Sequence, residues 1–165
     1  MEWTDLENKA VIITGGAAGI GLAVAKGFVE VGANVMIADF SEEAGQNAAT
    51  EASDAGLGEA RFTRCDVTQK ADVDQMIHST WDACGAVDAL INNAGINVPR
   101  LLVDPAGKEE LTEEIWDKDF AVNVKGQFQC AQAAARVMLK QSSGGVLINM
   151  SSESGLEGSE GQSVY

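Results

Sequence analysis

The sequence is poor in the residues that build disulfide frameworks and metal sites. It has 3 cysteines, Cys65, Cys84 and Cys130, with no C-x-x-C pair among them, and its only histidine is His78. The cysteines predict neither a disulfide scaffold nor a zinc site, and they fit a reducing compartment. His78 has no second ligand or nucleophile beside it, so we interpret it as a structural or surface residue. We expect no bound metal.

Positive charge is also scarce. The chain carries 11 Lys and Arg against 25 Asp and Glu, a formal net charge of -14. Such a chain repels phosphate backbones and anionic lipids, which argues against nucleic acid or a membrane surface as its partner. No apolar run approaches the ~20 residues of a membrane span, and residues 1–9 lack the pattern of a signal peptide. We predict a cytoplasmic protein whose ligands are small molecules.

What the chain does have is short apolar strands that alternate with helices. The β-rich runs lie at 10–14, 34–39, 60–65, 87–92 and 145–150. Helical spacing of apolar residues covers 19–32, 41–55, 69–83 and about 113–141. This pattern predicts a doubly wound α/β fold, with a parallel sheet in the order 3-2-1-4-5 and helices on both faces. We interpret residues 1–165 as a single domain.

The strongest motif joins the first strand to the first helix. The stretch VIITGGAAGIG runs from an apolar strand through Gly15, Gly19 and Gly21 into an amphipathic helix. Glycines let a backbone approach a pyrophosphate closely, and a helix N-terminus offers it free N–H groups and a positive dipole end. The spacing G-x-x-x-G-x-G differs from the general dinucleotide fingerprint. The motif indicates a dinucleotide site of the Rossmann type, and a tight turn without a ligand is the alternative.

Asp39 ends the second predicted strand, 18 residues after Gly21. A carboxylate about 20 residues past such glycines accepts hydrogen bonds from the adenosine ribose and repels the 2′-phosphate of NADP. Asp39 therefore predicts NAD as the cofactor. The alternative is that this carboxylate only caps the helix that begins near Ser41.

Further motifs follow in order along the chain. They are TGGAAGIG at 14–21, CDV at 65–67, NNAG at 92–95, NVKG at 123–126 and INMSSESG at 148–155, followed by Tyr165. In this order the motifs resemble the signature of the short-chain dehydrogenase/reductase family, and the resemblance covers the whole chain. It implies an oxidoreductase with a Rossmann-type sheet that forms a homo-oligomer, a dimer or tetramer, at full length.

The resemblance also implies roles for individual residues. Those that would bind the cofactor are Gly15, Gly19, Ile20, Gly21, Asp39, Asp66, Val67, Asn92, Ala94 and Gly95. Those that would act in catalysis are Asn123, Ser152 and Tyr165. Ser152 is preferred over Ser151 because the family's serine precedes its tyrosine by thirteen residues. For Asn92 and Asn93, a turn in which they only satisfy backbone groups is the alternative.

Asn123 and Gly126 interrupt the long predicted helix. Both are poor helix-interior residues that together cost about 1 kcal/mol or more relative to Ala, so we predict a local break there. Phe120, Val124 and Phe128 are predicted to form the buried stripe of this helix. By the resemblance, Asn123 would hold a water that relays protons; the alternative is an ordinary hydrogen-bonded asparagine.

The implied chemistry is reversible hydride transfer between NAD and a carbinol or ketone carbon. Tyr165 would exchange the hydroxyl proton and Ser152 would hold the same oxygen. A free phenol titrates near pH ~10, so it needs a nearby cation to act near neutrality. The family supplies a lysine four positions after the tyrosine, a position that the sequence does not reach. We therefore expect that the C-terminal part of the fold is missing, that the strand at 145–150 is a sheet edge, and that this fragment is inactive.

The longest irregular segment before the C-terminus is 95–111. Loops of this length are usually functional, and its INVPRLLVDP stretch resembles that of NAD-linked polyol dehydrogenases, including sorbitol-6-phosphate 2-dehydrogenases. Arg100 would then pair with a substrate phosphate, or it is an ordinary exposed arginine. The alternatives for function are a generic ketoreductase of the same family, such as a 3-oxoacyl reductase, and a non-catalytic NAD-binding fragment.

Overall fold

A sheet of five parallel strands forms the centre of the molecule. The computed structural model describes residues 5–165. Residues 1–4, part of the segment 1–9 that lacks a signal-peptide pattern, lie outside the described residues. The strands are β1 (Ala10–Thr14), β2 (Asn34–Asp39), β3 (Glu59–Arg64), β4 (Ala89–Asn92) and β5 (Val146–Asn149). Their spatial order is β3-β2-β1-β4-β5, and every neighbouring pair is parallel. The predicted sheet and its order are confirmed.

Helices connect the strands. They are α1 (Gly19–Glu30), α2 (Glu42–Ser53), α3 (Lys70–Cys84), α4 (Glu113–Phe120), α5 (Gln127–Met138) and the short α6 (Ser154–Glu157). A π-helical segment, Ala121–Gly126, joins α4 to α5. The predicted break in the long helix is therefore confirmed, and the 113–141 helix is two helices joined by a wider turn.

The sheet is covered on both faces because the side chains of each strand alternate between two apolar cores. In β1, Ile12 packs into a core with residues of α3 and α5, whereas Val11 and Ile13 pack into a core with residues of α1 and α2. All five residues of β1 are buried. This double coverage explains why the strands read as continuous apolar runs.

The strand order reverses between β1 and β4. From β1 the chain moves outward to β2 and β3, then returns through α3 to β4 on the other side of β1. The loops that follow the two strands at such a point run to opposite sides of the sheet. A crevice therefore opens between them, beyond the carboxyl ends of the strands. The fold thus predicts where a ligand would bind.

The predicted buried stripe of the long helix is wrong. Phe120, Val124 and Phe128 are 40%, 54% and 59% exposed. Small residues face the interior instead, because there is little room there: a Cβ on Gly126 would lie 2.7 Å from Cγ2 of Val67, in the segment after β3. Cys130 is fully buried on the same side. The large apolar residues therefore lie on the outer face.

The strand β5 is an edge of the sheet, as predicted. It pairs with β4 on one side, and all four of its residues are exposed. Among residues 5–165, no helix has the length and apolar character needed to cross a membrane. Cys65, Cys84 and Cys130 are free thiols.

Candidate functional site

The glycine-rich turn after β1 is packed so closely that side chains are excluded. Gly15 has φ +64°, and a Cβ there would lie 2.8 Å from the Cα of Ala94. A Cβ on Gly21 would lie 2.2 Å from the carbonyl oxygen of Gly15. The turn is fixed from the other side because the Gly15 N–H donates to the carbonyl of Ala38 at 2.8 Å. Gly21 therefore acts beneath the turn as a packing residue.

The N-terminus of α1 is open towards the same space. Ala18 precedes the helix and provides no side-chain acceptor, and no acidic residue lies in the first turn. Gly19 has φ +54°, and a Cβ there would meet no atom within 4 Å. Uncapped N–H groups at a helix start and the positive end of its dipole favour an anion. The structure at this point fits the pyrophosphate of a dinucleotide.

Asp39 lies at the end of β2 on the rim of this space. Its Oδ2 accepts a hydrogen bond from the N–H of Ala17 at 3.2 Å, and its Oδ1 accepts one from the N–H of Ser41 at 3.1 Å. The bond to Ser41 closes a turn before α2 and does not cap this helix, because α2 is Glu42–Ser53 and Ser41 is its N-cap. Since each carboxylate oxygen can accept a second bond, Asp39 keeps the capacity to bind a ribose hydroxyl.

A cleft of about 840 Å³ lies beyond the carboxyl ends of the first four strands. It brings together eight of the predicted cofactor residues: Gly15, Gly19, Ile20, Asp39, Asp66, Val67, Ala94 and Gly95. The cleft is also lined by residues that were not predicted to bind the cofactor, among them Phe40, Arg64, Cys65, Ile96, Lys118, Ala121 and Val122. Burial raises the pKa of the Cys65 thiol to about 12, so this thiol is protonated at neutral pH.

The β3 side of the cleft is shaped by a chain of acidic side chains. Oδ1 of Asp66 accepts hydrogen bonds from the N–H of Thr68 at 2.9 Å and from its hydroxyl at 2.8 Å. Asp72, in the first turn of α3, accepts from the N–H of Asp66 at 3.0 Å. Its Oδ2 also receives the guanidinium of Arg64 at 3.2 Å. These contacts fix the backbone that follows β3.

The turn after β4 is tied to the glycine-rich turn. The amide Nδ2 of Asn93 donates to the carbonyls of Thr14 and Gly15 at 3.1 and 3.0 Å. In return, the hydroxyl of Thr14 accepts from the N–H groups of Asn93 and Ala94, both at 3.1 Å. Asn93 thus satisfies backbone groups, as the structural alternative for it predicted.

Asn92 does not line the cleft within the described chain. Its side chain is buried between β4, β5 and α5, where Nδ2 donates to Oδ1 of Asn149 at 2.9 Å and to the carbonyl of Gln127 at 3.3 Å. Its Oδ1 has no hydrogen-bond partner among residues 5–165. The structure therefore separates Asn92 from the other predicted cofactor residues.

Asn123 lies in the π-helical segment; it does not line the cleft itself, but it is hydrogen-bonded to Ile96, which does. Its Oδ1 accepts from the N–H of Ile96 at 2.8 Å, and its Nδ2 donates to the carbonyl of Ile96 at 2.8 Å. The same Nδ2 donates to Oδ1 of Asp119 at 2.6 Å. Both side-chain donors of Asn123 are occupied, so only its oxygen has capacity left.

The other two predicted catalytic residues lie outside the cleft lining of residues 5–165. The Oγ of Ser152 accepts from the N–H of Ser154 at 3.2 Å. Tyr165 is 41% exposed. The segment before Tyr165 is attached to the loop after β4, because the hydroxyl of Ser163 donates to the carbonyl of Arg100 at 3.2 Å.

Arg100 already has a carboxylate partner. Its Nη1 lies 3.0 Å from Oε2 of Glu109 and donates to the carbonyl of Pro99 at 2.7 Å. The loop that carries this pair is organised by Asp104, which accepts from the N–H groups of Lys108 and Glu109 at 2.7 and 2.8 Å. These backbone hydrogen bonds hold the pKa of Asp104 below its usual value. The Arg100 side chain therefore braces the loop.

Comparisons with known proteins agree with this geometry. Residues 9–165 match the short chain dehydrogenase family. A sorbitol-6-phosphate 2-dehydrogenase from Klebsiella pneumoniae is 42% identical over 99% of this chain and 59% of its own length. A sorbitol dehydrogenase from Cereibacter sphaeroides is 39% identical over 97% of this chain and 59% of its own length.

Other relatives carry different names. A 3-oxoacyl-(acyl-carrier-protein) reductase from Chlamydia muridarum is 38% identical over 97% of this chain and 62% of its own length. The solved structure of a short chain dehydrogenase from Mycobacterium smegmatis superposes with a TM-score of 0.90 at 33% identity, over 97% of this chain and 65% of that one. The chain spans about three fifths of the length of these curated relatives. With the family match over residues 9–165, this agreement of sequence and fold shows that the chain belongs to the short-chain dehydrogenase family.

Proposed function

We propose that the protein, at the length of its relatives, is an NAD-dependent oxidoreductase that acts on a polyol or sugar-phosphate alcohol, in the manner of a sorbitol-6-phosphate 2-dehydrogenase. The observation that carries the cofactor class is the cleft at the strand ends, where the open helix N-terminus of α1 and the carboxylate of Asp39 lie on one rim. Members of this family bind nicotinamide dinucleotides. Residues 1–165 then form a single dinucleotide-binding domain.

The preference for NAD rests on charge. The Asp39 carboxylate accepts only backbone N–H groups among the described residues and forms no ion pair there, so its negative charge faces the cleft. Such a charge repels a 2′-phosphate and favours a free 2′-hydroxyl. The remaining cleft residues, Ile20, Asp66, Val67, Ala94 and Gly95, would line the adenosine side and the turn beside it.

The chemistry that a bound nicotinamide supplies is the gain or loss of a hydride. Tyr165 holds or releases the proton of the substrate hydroxyl through its phenol oxygen, and Ser152 donates a hydrogen bond to the same substrate oxygen. Asn123 supports this site from the π-helical segment through its contact with Ile96.

The substrate class rests on similarity to the sorbitol-6-phosphate 2-dehydrogenase and the sorbitol dehydrogenase. The reductase from Chlamydia muridarum, 38% identical, supports a second candidate, reduction of 3-oxoacyl groups. Arg100 is not the basis of the sugar-phosphate proposal, because its Nη1 already contacts Glu109 and the carbonyl of Pro99.

The two candidates are separated by kinetics on the full-length protein. We expect oxidation of sorbitol 6-phosphate with NAD, and reduction of fructose 6-phosphate with NADH, to have a kcat/KM at least tenfold above that for acetoacetyl thioesters. Unphosphorylated sorbitol is the matched control for the phosphate. A reversed preference would remove the sugar assignment and would leave the family unchanged.

The exposed apolar stripe on the outer face of α4 and α5 supports a homo-oligomer. Trp116 and Phe120 stack at a centroid distance of 4.7 Å, and Val124 and Phe128 continue the stripe. Contiguous apolar patches of this kind are typical of interfaces. We expect Val124→Glu to reduce the molecular mass measured by light scattering, whereas Leu57→Glu, at a site 90% exposed and away from the stripe, has no effect. An unchanged mass in Val124→Glu would argue against this interface.

A further inference from the structure

Asp119 is a buried carboxyl group to which the proposed reaction gives no role. It lies on α4 and is only 2% exposed, whereas the other acidic residues of α4 are exposed. Its Oδ1 accepts a hydrogen bond from Nδ2 of Asn123, and its Oδ2 has no hydrogen-bond partner among residues 5–165. Burial raises the pKa of this carboxyl, and the hydrogen bond from Asn123 only partly opposes the effect. An unpartnered buried carboxyl oxygen lowers stability, so its presence needs an explanation.

Asn123, the hydrogen-bond partner of Asp119, also binds the backbone of Ile96. The carboxamide of Asn123 forms two hydrogen bonds to Ile96, one with its N–H and one with its carbonyl, both at 2.8 Å. The second hydrogen of Nδ2 is the one that Asp119 accepts, at 2.6 Å. Asp119 thus completes the hydrogen bonding of the carboxamide and restrains its rotation. Without this acceptor, an N–H group of Asn123 would be left without a partner.

The backbone unit held by Asn123 belongs to the wall of the cleft. Ile96, together with Ala94 and Gly95, lines the cleft directly after β4. The contact is close, since a Cβ on Gly95 would lie 3.3 Å from Oδ1 of Asn123. A rotation of the carboxamide would therefore shift or loosen this part of the wall.

We propose that Asp119 is a positioning residue of the cleft: it holds the carboxamide of Asn123, which in turn holds the backbone of Ile96 against the bound cofactor. The effect on ligand binding rests on the proposed NAD-dependent function, whereas the effect on Ile96 does not. Asp119 itself does not touch substrate or cofactor. Its oxygen Oδ1 is the essential atom, and its negative charge is dispensable.

This role differs measurably from a purely structural one. A residue that only stabilises the fold would change stability without a specific change at Ile96. Asp119→Asn keeps an oxygen acceptor in place of Oδ1 and removes the charge, so it should rescue the positioning. Asp119→Leu has a similar shape and no acceptor. Asp117→Leu is the matched control, because Asp117 lies on the same helix with its side chain exposed.

The experiment measures amide hydrogen exchange at Ile96 and the Kd for NADH in the full-length protein. We expect exchange at Ile96 to rise at least tenfold and the Kd for NADH to rise at least fivefold in Asp119→Leu. Both quantities should stay within twofold of the parent protein in Asp119→Asn and Asp117→Leu. If Asp119→Leu does not fold by circular dichroism, Asp119→Ala replaces it with the same criteria.

The outcomes separate the two proposals. If Asp119→Leu leaves Ile96 exchange and NADH affinity unchanged, or if Asp119→Asn is as defective as Asp119→Leu, the positioning role is wrong. If the parent protein binds no NADH but Ile96 exchange still follows the expected order, the proposed function fails and the positioning of Ile96 by Asp119 stands.

Discussion

Asp39 and Arg64 are register partners at the carboxyl ends of β2 and β3, and both line the cleft. They do not neutralise each other. The guanidinium of Arg64 lies 3.2 Å from Oδ2 of Asp72, whereas Asp39 accepts the N–H groups of Ala17 and Ser41. The Asp39 carboxylate on the cleft rim therefore has no ion-pair partner among residues 5–165, and under the proposed cofactor binding it would repel the 2′-phosphate of NADP.

This arrangement predicts the cofactor preference of the full-length protein. NADH should bind more than tenfold tighter than NADPH, a difference of more than ~1.4 kcal/mol. Asp39→Asn removes the charge and keeps an acceptor, so it should reduce the preference to less than threefold, as measured by fluorescence titration of both cofactors. Glu42→Gln is the control for net charge, since Glu42 lies in the first turn of α2 and should leave the preference intact. Equal affinities in the parent protein would contradict the assignment of Asp39.

Two glycines of α1 should respond to alanine with opposite signs. Gly21→Ala places a Cβ 2.2 Å from the carbonyl oxygen of Gly15, a backbone atom that does not move without distorting the turn. We expect a loss of about 1–3 kcal/mol in the free energy of unfolding, as for other overpacked sites. Gly27→Ala meets no atom within 4 Å and should gain about 0.5–1 kcal/mol from helix propensity. Urea denaturation of both variants checks the pair, and a neutral Gly21→Ala would show that the turn yields.

The stability of Asp119→Asn should depend on pH in a defined direction. Burial raises the pKa of Asp119 in the folded chain above its value in the unfolded chain, about 3.9. The folded state then binds the proton more tightly, so the parent protein loses stability as pH rises from about 3.9 through the folded pKa. Asparagine does not titrate. The advantage of Asp119→Asn should therefore be absent at low pH, grow across this window and reach a plateau near neutrality, when followed by thermal or urea unfolding. An advantage that shrinks as pH rises would contradict the burial of this carboxyl.

Sequence patterns predicted the sheet well because its central strands β1, β2 and β4 are buried on both faces. A short, continuous apolar run such as 10–14, bounded by turn residues, is typical of a central parallel strand. The break at Asn123 and Gly126 was also predictable, since both residues disfavour a helix interior and the segment is π-helical.

The residues of α5 alone did not show which face of this helix is buried. Both sides of this helix carry apolar residues, and hydrophobicity favoured the side with Phe128. Close packing of Gly126, directly before α5, against Val67 selected the side with Gly126 and Cys130 instead. The contribution of Lys118 to the cleft and the burial of Asp119 depend on the same long-range packing, so no local pattern could reveal them.

The pairing of Arg100 with Glu109 predicts the behaviour of the loop after β4. Because the guanidinium already contacts a carboxylate at 3.0 Å, Arg100→Ala should disturb the loop and not a phosphate contact. We expect the KM for sorbitol 6-phosphate and for sorbitol to rise by similar factors, within twofold of each other, and Glu109→Ala to have the same effect. A selective increase for the phosphorylated sugar in Arg100→Ala alone would restore the phosphate contact.

Tyr165 should carry the proton transfer in the full-length protein. Tyr165→Phe removes the phenol oxygen and keeps the ring, so kcat should fall by about 10²–10⁴-fold while NADH affinity stays within threefold. Ser152→Ala should also lower kcat, and Ser151→Ala is its matched control on the adjacent, exposed residue. Turnover would be followed by NADH absorbance. Robust activity of full-length Tyr165→Phe would show that another group transfers the proton.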